Sequence, residues 1–552
     1  MNDRWHQNAI IYCVEIDVFR DGNDDGIGDF IGLRKALAYL AGLGVNCLWL
    51  LPFYPSPRRD DGYDITDYLG VDPRFGDLGD FAQFMDEANA RGIRVIIDLV
   101  VNHTSDEHPW FKAARREGPG SKYWDYYVWN EHPPADTHSE VVFPGKQDGV
   151  WKRDAVAGSS YFHRFYDFQP DLNMANPAVR AEVRKIMNFW LSLGVSGFRM
   201  DAVPFVIETG LGGDNDPGPK CERYEYLREF RDALSWKRGD AILLAEANVP
   251  PGEMLHYFGE DGDRLHLMLN FWVNPHLFLA FARGQAEPIR RSIEALPALP
   301  PGAAWAFFLR NHDELDLSKL SDKERAECMA AFAPDENMRL YNRGVRRRLA
   351  PMLENDPDRL LLAYSLLFSL PGSPVIWYGE ELGMGDNLAL EERNSVRTPM
   401  QWNGEPNADF SRASPDKFPR PLVPADGGPF DYHRVSVQAE RRNPDSLLNR
   451  LERLIRTRKE CPQIGAGHFR LVDTDQPEEV FAHACTDGDW SILMLHNLGS
   501  EARPDVQVQL WDDAYDCAIY LFEDRDIWNI KGRELRVDLA PYGYCWLRLR
   551  RR

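Results

Sequence analysis

Nothing in this sequence limits the fold more than the rhythm of its apolar segments. Short runs rich in β-branched and aromatic residues recur at Ala9 to Val14, Val45 to Leu50, Arg94 to Val100 and Val195 to Met200, then at Ile242 to Ala245, Leu265 to Phe271, Ala304 to Leu309 and Pro374 to Trp377. Between most of them lie stretches of helical periodicity, at Phe30 to Leu43, Leu78 to Arg91, Ala178 to Leu193, Tyr224 to Trp236 and Arg359 to Leu370. Strands this apolar must be covered on both faces, which is the condition of a parallel sheet flanked by helices. Eight strand–helix alternations therefore predict a (β/α)8 TIM barrel. Such a barrel needs about 250 residues, and the chain has 552, so insertions and a further unit are expected.

Their places are legible. The barrel is predicted to occupy 1–102 and 172–461, with a B domain inserted after strand three at 103–171 and lid-like insertions at 316–355 and 383–440, all over the barrel mouth. From 462 to 552 the pattern changes to short alternating runs, such as Val480 to Ala484 and Tyr544 to Leu549, which predict an antiparallel β-sandwich domain. The apolar stretch Leu360 to Tyr378 is interrupted by Pro371-Gly372-Ser373-Pro374 and reads as a buried helix and strand, not as a membrane span.

Composition narrows the function. Sixty-four Lys and Arg against 86 Asp and Glu give a net charge of -22, which repels phosphate backbones and anionic membranes, so neither nucleic acid nor a membrane is the expected partner. The eight cysteines, at 13, 47, 221, 328, 461, 485, 517 and 545, contain no C-x-x-C pair and indicate neither a disulfide scaffold nor a zinc site. The start Met1-Asn2-Asp3-Arg4-Trp5-His6 lacks the basic and apolar regions of a signal peptide, and a cytoplasmic location is expected.

In a barrel of this kind chemistry comes from polar residues at the C-terminal ends of strands. Here strand three ends in Asp98, then Asn102 and His103; strand four in Arg199 and Asp201; strand five in Glu246; strand seven is followed by His312 and Asp313. Arg199 and Asp201 stand two apart on an extended segment, so their side chains share a face and the arginine can keep the carboxylate ionised. Singly, each acid reads equally well as a helix cap or a strand-end salt bridge. Together, carboxylates on successive strands are what glycosidic-bond chemistry requires, with Asp201 as nucleophile and Glu246 as acid/base.

The segments Asp98-Leu-Val-Val-Asn102-His103, Gly197-Phe-Arg199-Met-Asp201-Ala202, Ala245-Glu246-Ala247-Asn248 and Arg310-Asn-His312-Asp313 resemble the four ordered motifs of the α-amylase superfamily, glycoside hydrolase family 13. Gln169-Pro-Asp171-Leu-Asn173 resembles the motif that closes its B domain. The resemblance implies a retaining mechanism through a β-glucosyl-enzyme on Asp201, with Asp313 a third catalytic residue. It implies that Asp313 and His312 hold the 2- and 3-hydroxyls and His103 the 6-hydroxyl, with Asp98 and Arg199 among the substrate-binding residues.

The stretch from Asp21 to Asp29 sets oxygen donors at alternate positions around glycine, a pattern that wraps a hard cation. In the family this loop binds structural calcium, making Asp21, Asn23, Asp25, Ile27 (by its carbonyl) and Asp29 the expected ligands. A second calcium at Asn102, Asp171 and Glu208 is implied by the resemblance alone. Asp60-Asp61-Gly62-Tyr63-Asp64 and Val396-Arg397-Thr398-Pro399-Met400-Gln401-Trp402 are similar to the segments with which exo-acting members close the pocket, Arg397 pairing with Asp60 and Tyr63 facing the sugar.

Asn311-His-Asp313-Glu314-Leu315-Asp-Leu317, the run Asn342 to Pro351 and Gly383 to Asn387 resemble members of the family that isomerise maltose to trehalose without a cofactor beyond structural calcium. The stretch from Phe205 to Pro219 departs from them. A hydrolytic α-glucosidase or amylase-type enzyme, and a catalytically silent binding or scaffold protein, are the alternative readings. Small α-glucosides such as maltose and trehalose are the expected partners, and a further copy of the chain, in a homo-oligomer, is the other partner considered.

Overall fold

The computed structural model describes residues 4–208, 211–214, 223–528, 530 and 532–551, apart from the side chains of residues 139 and 528. Met1 to Asp3, Cys221 and, in the divergent stretch after Phe205, residues 209–210 and 215–219 lie outside the described residues. Eight strands, β1 (Ile11–Val14), β2 (Cys47–Leu50), β3 (Arg94–Leu99), β4 (Gly197–Met200), β5 (Ile242–Ala245), β6 (Leu267–Leu269), β7 (Ala304–Phe308) and β8 (Ser373–Trp377), close into a barrel. Neighbours are parallel all the way round, β8 returning to pair with β1. Each expected strand is present, six of them shorter by one or two residues at one or both ends and the last longer by one at Ser373.

Local chemistry sets the connections. Helix α1 (Phe30–Leu43) begins at Asp29, whose carboxylate accepts from the Gly32 N–H, and stops at Gly44 in the left-handed region. Asp77 and Asp80 form a reciprocal capping box at the start of α2 (Leu78–Ala90). The interrupted apolar stretch folds into a buried helix, Pro357–Ser369, and then β8. Gly372 makes that turn possible: its φ is 111°, and a Cβ there would lie 2.2 Å from the Trp305 carbonyl oxygen.

Between β3 and β4 a small antiparallel sheet of Trp129–Asn130, Trp151–Asp154 and Ser159–Phe162 is inserted. Beyond β7 lie a three-stranded sheet (Leu315–Asp316, Arg339–Leu340, Gly344–Val345) and the helix Asp322–Phe332. The C-terminal region carries antiparallel sheets of six and three strands. Alternation along Val480–Asp487 explains their packing: Val480, Ala482 and Ala484 join a core shared with the three-stranded sheet, whereas Phe481 and Cys485 join the barrel core. Among the described residues no helix is long and apolar enough to cross a membrane.

Candidate active site

The register of the barrel builds the floor of the site. Asp98 on β3 pairs directly with Arg199 on β4, so the two side chains meet on the barrel interior, where Arg199 Nη1 lies 2.9 Å from Asp98 Oδ1. The same nitrogen is 2.6 Å from Asp201 Oδ1, and Nη2 is 2.7 Å from Glu246 Oε2. One guanidinium, 1% exposed, thus holds three carboxylates from three strands. Burial pushes Asp201 up to about 6 and Glu246 up to about 7, Arg199 opposing the shift in both; Glu246 stands higher against the neighbouring Asp201 and Asp313 charges. The Ala202 N–H donates to Glu246 Oε2 at 3.0 Å, from a backbone with φ 48°, a strained position for a residue with a Cβ.

Asp313 is clamped from the opposite side. Arg393 Nη1 lies 2.6 Å and Arg397 Nη2 3.1 Å from its Oδ1, and His312 Nε2 is 3.2 Å from its Oδ2. Burial would raise this carboxyl, but the His312 ring and the Arg393 and Arg397 charges beside it hold it below the usual carboxylate range. Tyr63 stacks on His312 at 6.0 Å with 8° between the planes, and its hydroxyl reaches Asp98 Oδ2 at 3.1 Å and His312 Nε2 at 3.0 Å. Since a carboxylate only accepts, the hydroxyl donates to Asp98 and His312 carries its proton on Nε2. His103 is held by the Tyr63 carbonyl at 3.2 Å, and burial lowers it to about 4, so it presents a neutral ring.

The expected Arg397–Asp60 pair is not formed. Arg397 Nη1 instead takes Asp61 Oδ2 at 2.6 Å and Nε donates to the His312 carbonyl at 2.8 Å. Asp60 faces Arg393 at 3.7 Å and accepts from Gln169 Nε2 at 2.8 Å. Asp61 is the acid aimed at Arg397, and it is gripped a second time by Arg420 at 2.6 Å. Arg420 also reaches Glu15 at 2.9 Å, fastening the long excursion after β8 to the end of β1. Both acids of the Asp60-Asp61 doublet and both arginines of the Arg393/Arg397 spacing are visible in the sequence; only the backbone path decides which faces which.

The cavity above these groups has a volume of about 580 Å³, within the ~300–1,000 Å³ of small-molecule sites. Asp60, Tyr63, His103, Asp201, Glu246, His312 and Asp313 line it together; Arg393 also lines it, as do Phe143, Phe165, Phe205 and Phe271, which had no signal beyond aromatic content. Asp98 and Arg199 are buried beneath, where they position Tyr63 and the two acids.

The acidic loop closes largely on itself. Asp21 accepts from the Asn23, Asp24 and Gly26 N–H groups and the Ser411 hydroxyl, Asn23 from Asp25, and Asp25 from Ile27. Asp29 uses Oδ1 on Gly22 and Gly32, and its Oδ2 is buried without a hydrogen-bond partner. The other expected set holds an internal cation: Arg164 lies 2.7 Å from Glu208 while its N–H donates to Asp171 at 3.0 Å, and Asn102 donates to Asp171 at 3.1 Å. Arg164 thus already supplies Glu208 with a positive partner at the position expected for a second calcium. Among the described residues no three His, Cys, Asp or Glu side chains converge as a metal cage.

A parallel barrel whose strand ends gather Asp201, Glu246 and Asp313 around a small cavity is the arrangement of a glycoside-active enzyme. The chain belongs to the α-amylase family: the profile of the α-amylase catalytic domain matches residues 13–467. It is 42% identical over 554 residues to a trehalose synthase of Thermus thermophilus, with 100% of this chain aligned; the chain spans 56% of that relative's length. It is also 42% identical to a trehalose synthase/amylase of Mycobacterium tuberculosis, covering 99% of this chain and 90% of the relative. The crystal structure of trehalulose synthase MutB from Pseudomonas mesoacidophila MX-45 superposes with a TM-score of 0.77 at 26% identity, over 99% of each chain.

Proposed function

We propose that the chain isomerises maltose to trehalose by intramolecular glucosyl transfer, with some hydrolysis, and that it does so in the cytoplasm. The observation that carries this reading is one end of the pocket, where Arg393 and Arg397 converge on Asp313 and Arg393 packs against Phe143. A terminal glucose entering there meets a wall, and a sugar freed beside it is kept from bulk water. The trehalose synthase relatives support the same assignment.

In this account the ionised Asp201 attacks the anomeric carbon while Glu246, the acid that stands higher, gives its proton to the departing O4 of the second glucose. Both acids on one guanidinium suit the short ~5–5.5 Å separation of retaining enzymes. Asp313 and His312 grip the 2- and 3-hydroxyls and His103 the 6-hydroxyl. The freed glucose turns in place and its anomeric hydroxyl attacks the glucosyl carbon; Glu246 takes that proton and the Asp201 ester bond breaks, so no atom is gained or lost. Water attacking instead gives glucose, which is the hydrolytic side reaction. A silent binding role is disfavoured by the complete set of acids and the arginine held against them. Incubation with maltose tests the reading: trehalose as the main product is expected, and glucose alone would replace it with an α-glucosidase.

We propose in addition that the loop from Asp21 to Asp29 binds one structural calcium. The unpartnered Asp29 Oδ2 supports this, because a buried carboxylate oxygen without a donor is costly unless a cation meets it. Asp21, Asn23, Asp25, Asp29 and the Ile27 carbonyl would hold the ion, away from the bond being cleaved.

A further inference from the structure

Three separate excursions of the chain meet above the cavity, and one carboxylate touches all of them. Glu392, in the excursion after β8, places Oε1 2.6 Å from Lys146 Nζ in the insertion after β3. Its Oε2 accepts from Tyr166 of that same insertion at 3.2 Å and from Tyr341 of the excursion after β7 at 3.2 Å. Phe143 sits beneath, with ring centroids 5.0 Å from Tyr166 and 5.1 Å from Tyr341. The next residue, Arg393, lays its guanidinium 5.0 Å over Phe143 and pairs with Asp313. Glu392 and Tyr341 both have positive φ, 47° and 52°. Non-glycine residues hold such a conformation only where the surroundings impose it, and the clustering of two at one junction points to function.

We propose that Glu392 is a positioning residue that sets reaction specificity: by tying Lys146, Tyr166 and Tyr341 together it holds Phe143 over the cavity, and so decides how often the glucosyl-enzyme is captured by the retained glucose rather than by water. This rests on the isomerase reading above. The tie suits a roof that must open for substrate. Lys146 is 44% exposed, and an ion pair open to solvent is weak and salt-sensitive, so breaking it to admit substrate costs little. Glu392 touches neither the cavity's acids nor its floor; it acts through Phe143 and Arg393.

The full chain is incubated with maltose and the ratio of trehalose to glucose is measured for the wild type and for E392A, E392Q, K146M and Y341F. E392A is expected to lower the ratio about two- to fivefold, the range open to a partly exposed ion pair, while maltose consumption changes less. E392Q keeps an acceptor for the tyrosines and should fall between wild type and E392A; Y341F, which loses one hydroxyl and keeps its ring, should lower the ratio with an unchanged melting temperature. High salt should lower the wild-type ratio and leave that of E392A unmoved. A wild type that makes trehalose while E392A and Y341F keep its ratio overturns the inference alone. A wild type that makes only glucose overturns the isomerase reading and the inference with it.

Discussion

Replacing Arg397 with alanine probes the closed end of the pocket most sharply. The side chain is 1% exposed and makes two ionic contacts and one carbonyl contact, to Asp61, Asp313 and His312. Breaking a buried pair from one side costs about 3–5 kcal/mol when the remaining charge is stranded. Here neither acid is wholly stranded, since Asp61 keeps Arg420 at 2.6 Å and Asp313 keeps Arg393 at 2.6 Å. The cost therefore falls below that range, to about 1.5–3 kcal/mol as for lost hydrogen bonds to charged groups, equivalent to roughly ten- to a hundredfold in kcat/KM for maltose where it acts on the bound sugar. Steady-state kinetics with maltose, beside a melting curve, read it directly. A double-mutant cycle with Asp61→Asn should return a coupling of about 1 kcal/mol or more, because the partners are in contact. A kcat/KM for Arg397→Ala within a few fold of wild type, or a cycle with no coupling to Asp61, would refute the reasoning.

The pH profile should be a bell: activity falls as pH drops through about 6 and Asp201 gains a proton, and falls again as pH rises through about 7 and Glu246 loses the proton it must donate. Glu246→Gln should abolish the upper limb, and an activated substrate with a good leaving group should partly restore glycosylation in that variant but not in Asp201→Asn. Asp61 and Asp313, both held below the usual carboxylate range, contribute stability that is present above pH ~4 and lost as acid protonates them, so Asp61→Asn should flatten the acid side of a stability–pH curve. Chelation, or Asp25→Ala, should lower the melting temperature by removing a ligand bound only to the folded state; an unchanged melting curve removes calcium from the account.

The barrel was legible because its strands are apolar on both faces and its helices carry caps in plain view, as at Asp29 and Asp77. The floor of the site was legible for a related reason: a strand end fixes which way Asp98, Arg199, Asp201 and Glu246 point, so spacing alone places them. Away from strands that logic fails. Asp60 and Asp61 lie on a turn in which Asp61 has a φ of 49°, and nothing in the residue order states which acid turns toward Arg397. The same holds for Arg393, Arg420 and Glu392, whose partners at Asp313, Glu15 and Tyr166 are 80, 405 and 226 positions away along the chain. At the second expected calcium set the missing information is Arg164, the cation that Glu208 meets, which lies outside the motif that suggested the site.

Intramolecular transfer is the claim on which the rest depends, and one isotope experiment addresses it. The enzyme is given unlabelled maltose together with an excess of isotopically labelled free glucose, and the trehalose formed is analysed by mass spectrometry. If the freed glucose is retained and turned within the closed pocket, trehalose accumulates with almost no label. Trehalose carrying label in proportion to the free glucose, or no trehalose at all, would contradict the account.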